Sequence, residues 1–279
     1  MNCTLRRVTV VGLYNRMSRL VFRHISSNFC QTNFQFSRFL SSINMGSENE
    51  INIQGMRTKY HGKENTFLET DLQSIDPIKQ FKIWFDEAAK TPGIAEANSM
   101  CLATASKDGK PSARFLLLKG FGTEGFKFYT NYNSRKAHDL EENPNAAITF
   151  YWEPLHRSVR IEGKVRRVPE ADSDQYFHSR PRASQIGTAC SNQSSVIESR
   201  ATLTEKEAEL EQLYANKEVP RPPHWGGYIL EPETIEFWQG QSNRIHDRIR
   251  FRRCKSGEKA DGRLTHVGEN GWVYERLAP

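Results

Sequence analysis

The sequence predicts a mainly β protein with flanking helices, folded as one small barrel. Short apolar runs bounded by turn residues recur from Met100 to Arg276, and the turn between the first two contains Asp108-Gly109, a strong hairpin signal. Apolar and charged residues alternate strictly in residues 159–166, as in a strand with one face in water. Helical periodicity is confined to a few stretches. Many antiparallel strands joined by few helices favour a small barrel.

The first predicted helix begins at Asp76 and Pro77. Aspartate is suited to the N-cap position and proline to the first turn of a helix. Apolar residues then recur at helical spacing from Ile78 to Ala89, and Thr91-Pro92-Gly93 ends the helix.

Strand-like and helix-like patterns alternate along the rest of the chain. We expect strands at 100–105, 113–118, 126–130, 146–152, 159–166, 228–230, 234–238, 244–252 and 272–276, and further helices at 169–179 and 204–217. The last helix would bury an apolar stripe formed by Leu203, Leu210 and Leu213. No internal repeat or linker divides residues 76–279, so they are expected to form one domain.

The basic charge of the chain is concentrated at its start. Residues 1–45 contain six arginines and no lysine, aspartate or glutamate, whereas residues 46–279 carry 33 basic and 33 acidic residues. This leader resembles an organelle transit peptide in composition, and a merely disordered basic extension explains it equally well. Residues 46–75 are polar and aperiodic, as expected of a flexible arm. We expect a cytoplasmic protein, or a mitochondrial one if the leader functions in targeting.

Composition also excludes several classes of protein. The five cysteines are widely spaced and include no C-x-x-C pair, and the eight histidines include no close ligand pair, so we expect no disulfide framework and no metal site. The neutral balance of residues 46–279 disfavours a nucleic-acid-binding surface, although Arg250, Arg252 and Arg253 leave that alternative to be tested. No segment is apolar and long enough to predict a membrane span.

Arg114 and Lys119 bracket the apolar segment 115–118. They are either ordinary strand-end cations whose charged groups reach water or ligands of an anion. Strict alternation places them on opposite faces of the strand. If both are functional, they serve different groups, or Lys119 lies beyond the strand.

A second candidate site follows the strand at 126–130, where Ser134 is the expected N-cap of a helix. The free backbone N–H groups and the helix dipole lie there beside Arg135 and Lys136, an arrangement suited to a phosphate group. A solvated turn is an equally good interpretation.

A third candidate combines Tyr176, Arg180 and Ser184. The tyrosine and the arginine are four residues apart and share a helical face, Pro181 ends the helix, and the serine follows. Hydroxyl groups and a guanidinium around one point suit a phosphate dianion. The alternative is a capped helix junction with a surface arginine.

The segment from Arg244 to Arg252 is the fourth candidate. As a strand it would place Arg244, His246 and Arg248 on one face, and such a row of cations suggests an anion site. An amphipathic strand with a solvated basic face explains the same alternation. Trp238, on the preceding strand, is either an interface residue or a platform for a planar ring.

Taken together, an ordered set of motifs resembles the pyridoxamine 5'-phosphate oxidase family. The resemblance runs from about Asp76 to the last residue. Its motifs are Arg-x-Leu-Leu-Leu-Lys at 114–119, Thr-Asn-x-x-Ser-Arg-Lys at 130–136, Tyr-Phe-His-Ser-Arg-Pro at 176–181, Ser-Gln-Ile-Gly at 184–187, Gln-Ser-Ser at 193–195, Trp-Gly-Gly at 225–227, Phe-Trp-Gln-Gly at 237–240, Arg-x-His-Asp-Arg at 244–248 and Arg-Leu-Ala-Pro at 276–279. Any one of them is weak evidence, whereas the ordered set is specific.

The resemblance implies an FMN-binding split barrel that works as a homodimer, with FMN in a cleft between the subunits. One subunit would hold FMN through Arg114, Phe115, Leu116, Leu117, Tyr129, Thr130, Arg135 and Lys136, and the other through Gln193, Ser194, Trp238 and Arg248. The substrate phosphate would be held by Lys119, Tyr176, Arg180 and Ser184. Arg244 and His246 would lie over the substrate ring near the reacting carbon, and Arg57 to Tyr60 would fold over the bound substrate.

The implied reaction is oxidation of pyridoxamine or pyridoxine 5'-phosphate by O2 to pyridoxal 5'-phosphate, with release of hydrogen peroxide. In this interpretation His246 is an acid, a base or a hydrogen-bonding group that orients the substrate. Ser158 departs from the family pattern, because a glutamine that contacts FMN usually occupies this position; one flavin hydrogen bond is then lost or bridged by water. A noncatalytic carrier of flavin or pyridoxal phosphate with the same fold is the alternative function.

Overall fold

The computed structural model describes residues 53–56, 59–60 and 66–279, and the chain divides into two compact units, 1–59 and 60–279. In the first unit, residues 53–56 form a turn in which the Met56 N–H donates to the Ile53 carbonyl at 3.0 Å. The second unit contains the helices and strands described below. The predicted leader and the predicted substrate contact Arg57 lie outside the described residues.

Within the second unit, ten strands form one antiparallel sheet, as the mainly β prediction requires. The strands are β1 (Ser99–Ala105), β2 (Pro111–Leu117), β3 (Gly120–Gly122), β4 (Gly125–Asn131), β5 (Asn145–Trp152), β6 (Arg157–Arg167), β7 (Trp225–Gln239), β8 (Asp247–Arg253), β9 (His266–Val267) and β10 (Trp272–Arg276). Their order across the sheet is β2-β1-β5-β6-β7-β8-β10-β9, and β4 pairs with both β3 and β7. The predicted hairpin joins β1 to β2, with Gly109 at a φ of 81° in the turn.

The long strand β7 organises this sheet. Its first half pairs with β4 and its second half with β8, while β6 runs along most of its length. The register shifts between Glu162 and Gly163, where a Cβ atom on Gly163 would lie 1.9 Å from the Glu231 carbonyl oxygen. A bulge with so close a backbone approach requires glycine. The two strands predicted at 228–230 and 234–238 are therefore one strand.

Five α-helices accompany the sheet in the described residues from 66 onward. They are α1 (Pro77–Lys90), α2 (Arg135–Glu142), α3 (Glu170–Ser179), α4 (Arg182–Cys190) and α5 (Arg200–Leu213). The predicted start of α1 is confirmed, because the Asp76 side chain accepts hydrogen bonds from the N–H groups of Ile78 and Lys79. Ser134 occupies the predicted N-cap position of α2, but its hydroxyl donates to the Asn131 carbonyl at 2.7 Å and makes no capping hydrogen bond.

Two further helix predictions need correction. The helix expected at 204–217 begins and ends four residues earlier, and Leu213, expected in its apolar stripe, is 55% exposed. The sequence pattern did not predict α4, since Pro181 was interpreted as a helix end. Pro181 does separate two helices, but it also occupies the N-cap position of α4, so Ser184 lies in the first turn of that helix.

The buried apolar side chains form two clusters. The larger joins α1 to the sheet: the buried ring of Phe81 meets Phe121 and Phe126 edge to face at centroid distances of 4.9 and 5.1 Å. The smaller cluster packs α3, α4 and α5 together through Phe177, Ile186 and Leu210. The helical cluster thereby covers β4 and the end of β2, which is where the predicted ligand-binding residues gather.

The folded unit begins earlier than the predicted boundary at Asp76. Phe67 is buried, and its N–H donates to the Asp247 carboxylate at 3.0 Å. Glu69 forms an ion pair with Arg276 at 2.8 Å. Residues 66–75, which were predicted to belong to the flexible arm, are therefore part of the folded domain. They contact β8 through Asp247 and β10 through Arg276.

Candidate functional site

A cavity of about 660 Å³ lies between the sheet and the helical cluster. It gathers nine of the residues proposed from the sequence. These are Leu116, Leu117, Lys119, Tyr129, Thr130, Tyr176, Arg180, Ser184 and Gln193. Lys119 follows β2, which ends at Leu117, so it lies beyond the strand as one sequence alternative required.

Lys136 forms the buried cationic end of this region. Its side chain is 6% exposed, and its Nζ donates to the hydroxyls of Thr130 and Ser134 at 3.1 Å each and to Gln193 Oε1 at 2.6 Å. All three partners are neutral, and no carboxylate in the described part of the chain pairs with it. Burial, with a smaller effect of nearby Arg114, lowers the pKa of Lys136 to about 8. An ammonium group buried without a counterion is suited to receive an anion.

Two further cations lie beside Lys136. Arg114 is half-buried, and its guanidinium donates to the Thr104 hydroxyl at 2.8 Å and to the Ser112 hydroxyl at 2.7 Å. Burial lowers the pKa of Arg114, and Arg135 acts in the same direction while Asp139 opposes it. The Arg135 N–H, at the start of α2, donates to the Ser194 hydroxyl at 3.4 Å. Three cations and the N-terminus of a helix therefore meet at one place, which we call the cationic corner (Arg114, Arg135, Lys136).

Two cations, Arg180 and Lys119, line the cavity itself. The Arg180 guanidinium donates to the Thr188 hydroxyl at 2.8 Å and lies over the Trp225 ring at 4.9 Å. Burial lowers the pKa of Arg180. No carboxylate pairs with Arg180 or Lys119 within the described ranges. The Tyr129 and Tyr176 rings stack at 4.0 Å between the sheet and α3. We call Lys119 and Arg180 the second cationic pair.

A separate cavity of about 510 Å³ is lined by Ser158, Trp238 and Arg248. Ser158 pairs with Trp238 across β6 and β7, and Trp238 pairs with Arg248 across β7 and β8, so the three residues form a row. Glu236 is 7% exposed and accepts from Arg248 Nε at 2.7 Å, which fixes the guanidinium. Within one chain, these residues do not join the cationic corner.

The loop before β8 carries Arg244 and His246. The predicted strand from Arg244 is wrong: β8 begins at Asp247, and Arg244 has a φ of 69°. The turn is held by the Asn243 side chain, which accepts from the Ile245 N–H at 2.9 Å, so the alternation of a strand does not apply before Asp247.

His246 has a defined tautomer in its neutral form. The Gln241 N–H donates to His246 Nδ1 at 3.0 Å, so the ring proton is on Nε2. Burial, together with the charge of Arg244, lowers the pKa of His246, and Asp247 opposes this shift. Protonation of Nδ1 would also break the bond to Gln241. His246 is therefore neutral at pH 7 and offers a donor at Nε2.

Tyr60 lies beside the same loop. Its ring centroid is 6.1 Å from that of His246 and 6.3 Å from that of Trp238, and its carbonyl accepts from the Ser242 hydroxyl at 2.6 Å. Gly240 makes room for this arrangement, since a Cβ atom there would lie 2.9 Å from the Trp238 ring. Tyr60 thus reaches the loop that carries Arg244 and His246.

Two residues expected to act from the opposite subunit contact the cationic corner of their own chain. Gln193 and Ser194, expected from the opposite subunit, contact Lys136, Thr130 and the start of α2 within the same chain. The physical reason is that the chain leaves α4 and turns back across the N-terminus of α2, with Ser194 at a φ of 74°. Phe115 also differs from its neighbours, because its side chain is 77% exposed and lines neither cavity.

Sequence reasoning missed several residues of the site. Trp225 stacks on Tyr129 and Tyr176 and lies against Arg180, while Thr188 accepts from the same arginine. The motif Trp-Gly-Gly at 225–227 was the available signal for Trp225. Thr188 carried no signal, because the helix that places it was not predicted.

The antiparallel sheet, its flanking helices and the cation-lined cavity are those of a split-barrel protein. Family models agree: one described as pyridoxamine 5'-phosphate oxidase matches residues 85–214, and one described as the pyridoxine 5'-phosphate oxidase C-terminal dimerisation region matches residues 225–279. The chain belongs to the pyridoxamine 5'-phosphate oxidase family.

Similar proteins cover most of the chain. A pyridoxine-5'-phosphate oxidase from Bos taurus is 59% identical over 230 residues, which are 82% of this chain and 88% of the relative. A pyridoxine/pyridoxamine 5'-phosphate oxidase from Bombyx mori is 60% identical over 231 residues, which are 82% and 90% of the two chains. The crystal structure of PhzG from Burkholderia lata, in complex with tetrahydrophenazine-1-carboxylic acid, is similar with a TM-score of 0.66 at 30% identity, over 76% of this chain and 97% of that one.

The described residues contain no candidate membrane span and no candidate metal site. None of the helices there combines the length and apolar character needed to cross a membrane. No group of three or more histidine, cysteine, aspartate or glutamate side chains is arranged to hold a metal ion in that part of the chain.

Proposed function

We propose that this chain is an FMN-dependent oxidase that converts pyridoxamine 5'-phosphate and pyridoxine 5'-phosphate to pyridoxal 5'-phosphate with O2. The products are pyridoxal 5'-phosphate, hydrogen peroxide and, from the amine, ammonia. The observation that carries this proposal is the presence of two separate sets of cations without a salt-bridge partner in the described residues: the second cationic pair lines the cavity, and the cationic corner contacts it through Thr130 and Gln193, which Lys136 binds. A phosphorylated cofactor and a phosphorylated substrate together require two such sets.

The residues present fit FMN. Lys136 is buried among neutral acceptors at the start of α2, where the Ser134 side chain makes no capping hydrogen bond. Arg114, Arg135 and Lys136 would hold the phosphate, with Ser194 and Gln193 beside it, and Leu116, Leu117, Tyr129 and Thr130 would line the neighbouring wall. When bound, FMN supplies a two-electron acceptor that takes a hydride equivalent from the substrate and passes the electrons to O2.

The second cationic pair would bind the substrate phosphate. Arg180 is held by Thr188 and Trp225, so its guanidinium is ordered before a ligand arrives. Lys119 supplies a second charge, and Tyr176 and Ser184 supply hydroxyls at the same cavity. Fixing the substrate by its phosphate would align the reacting carbon, so that binding energy offsets the entropy of alignment.

A homodimer would complete the site. Ser158, Trp238 and Arg248 line a different cavity from the cationic corner in a single chain, and the family model that matches residues 225–279 describes a dimerisation region. A second copy would bring this row to the flavin. The serine at position 158 offers one hydroxyl in place of the longer glutamine side chain.

Arg244 and His246 would act on the substrate ring, with Tyr60 covering it. The neutral His246 donates through Nε2 and its Nδ1 is engaged by Gln241, which supports an orienting role and disfavours an acid role near neutral pH. Arg244 would orient the substrate ring at the reacting centre. The protein would work in the cytoplasm, or in mitochondria if residues 1–45 direct import.

Oxygen uptake tests this function and separates it from a noncatalytic carrier. Purified protein saturated with FMN should consume O2 when pyridoxamine 5'-phosphate is added and should form pyridoxal 5'-phosphate. Flavin-loaded protein that consumes no O2 would favour the carrier. Arg244→Ala should lower turnover by at least about 100-fold while leaving the FMN dissociation constant within about twofold of wild type. Unchanged turnover would remove Arg244 from the reacting centre.

A further inference from the structure

A buried relay supports Arg114 from behind. Arg114 Nη1 donates to Thr104 Oγ1 at 2.8 Å, and Thr104 Oγ1 donates to Asp139 Oδ2 at 2.6 Å. Thr104 lies on β1, opposite the hairpin partner strand that carries Arg114, and Asp139 lies on α2. Thr104 and Asp139 are 3% and 5% exposed, so water does not compete strongly for these bonds.

The direction of the relay is fixed by the chemistry of its members. An ionised carboxylate only accepts hydrogen bonds, and a threonine hydroxyl has a single proton. Because Thr104 gives that proton to Asp139, its oxygen is left as an acceptor facing the guanidinium. The guanidinium only donates, so the chain from Arg114 through Thr104 to Asp139 has one possible polarity.

The relay also balances charge at the cationic corner. Arg114, Arg135 and Lys136 repel one another before an anion arrives, and burial disfavours the charged forms of Arg114 and Lys136. Asp139 is three residues after Lys136 on the same helix and is a buried carboxylate that attracts Arg114. It therefore offsets part of the repulsion without occupying the place of the ligand.

We propose that Thr104 and Asp139 are positioning residues that orient Arg114 for the cofactor phosphate. The inference rests on the proposed function, in which the cationic corner binds the phosphate of FMN. Neither residue touches the cofactor in this account. They act through Arg114, by holding one edge of its guanidinium so that its remaining N–H groups are presented in a fixed direction.

Riboflavin separates this role from a general structural one, because it carries the same ring system as FMN but no phosphate. Dissociation constants for both flavins are measured by quenching of flavin fluorescence on the full chain. Thr104→Val keeps the shape of the side chain and removes the hydroxyl, so it should weaken FMN binding about tenfold and leave riboflavin binding unchanged. Thr104→Ser restores the hydroxyl and should bind FMN as wild type does.

The variant Asp139→Asn tests the other residue of the relay. The asparagine amide can donate to the Thr104 hydroxyl, so the Thr104 oxygen is no longer reserved as an acceptor for Arg114. This change should weaken FMN binding by a similar factor. The double variant Thr104→Val with Asp139→Asn should be no weaker than the weaker single variant, because both changes break the same chain of bonds. Effects that multiply would show two independent roles and overturn the relay.

Two other outcomes would also overturn the proposal, and they are distinguishable. If Thr104→Val loses FMN and riboflavin equally, or binds FMN as wild type does, the relay does not orient Arg114 for phosphate. If the wild-type chain binds FMN no more tightly than riboflavin, the assignment of the cationic corner itself fails, and the proposed function fails with it.

Discussion

Two groups of cations in this molecule look alike in sequence and differ in structure. Around the cavity, Lys136 and Arg180 contact neutral hydroxyl, amide and aromatic groups. On the last strands, Arg250 and Arg252 pair with Glu275 at 2.6 Å each, and Arg276 pairs with Asp247 at 2.9 Å. A cation that is paired with a carboxylate of the same fold has a structural role. A buried cation without a counterion indicates where an anionic ligand binds.

The largest effect on ligand binding is expected at Lys136. Lys136→Met removes a buried, unpaired ammonium group and should weaken FMN binding about 100-fold, since truncating one partner of a buried charge pair costs several kcal/mol. Fluorescence quenching measures this change. Arg252→Met is the matched control, because it removes the same formal charge from the paired group. Equal losses in the two variants would show that overall charge, and not the corner, determines affinity.

A smaller effect is expected at the second cationic pair. Arg180→Ala should raise the KM for pyridoxamine 5'-phosphate about 30-fold with a smaller change in kcat, because phosphate contacts are made in the ground and transition states alike. Steady-state oxygen uptake gives both constants. Arg182→Ala is the control, since Arg182 is two residues away and donates to the Lys217 carbonyl at 3.1 Å. Loss of FMN with an unchanged KM would reassign Arg180 to the flavin.

The smallest effect on ligand binding is expected when an arginine that is paired with a carboxylate (Arg250, Arg252 or Arg276) is substituted. Arg252→Met should leave the FMN dissociation constant within about twofold of wild type, and it should lower the thermal unfolding midpoint by about 2 to 4 °C. The reason is that Arg252 joins Glu258 to Glu275 and so ties the segment after β8 to β10. An FMN affinity that falls while the unfolding midpoint stays constant would contradict the division into two groups.

The sequence predicted the elements whose signals are local. The capped start of α1, the Asp-Gly hairpin and the alternating strand β6 depend on neighbouring residues, and each is present. The break in the strand before Asp247 was missed because it depends on hydrogen bonds of Asn243 and His246 within a turn. The helix α4 was missed because a proline that ends one helix can also start another.

Sequence motifs predicted residues of the candidate site. They did not predict which cations have carboxylate partners and which do not. Motifs indicated which residues gather around the cavity, but a pattern along one chain does not give distances between segments 60 residues apart. Gln193 meets Lys136 only because α4 and the turn after it cross the start of α2. The carboxylate partners of Arg250 and Arg252 were missed for the same reason, so their strand was interpreted as a solvated basic face.

In the proposed function, Lys136 is a buried cation without a carboxylate partner in the described residues, and it binds a phosphate. Its lowered pKa of about 8 makes this measurable: at pH 8.5 most free molecules lack the Lys136 proton, and a bound dianion raises the pKa, so binding takes up a proton. FMN affinity should accordingly fall as pH rises above about 8. An arginine at this position keeps its charge throughout this range.

Calorimetric titration of FMN at pH 8.5, in two buffers of different ionisation enthalpy, measures this proton uptake. The wild-type chain should take up a substantial fraction of one proton, up to roughly 0.7, and Lys136→Arg should take up close to none. Equal proton uptake by the two proteins, or none by either, would contradict this role of Lys136.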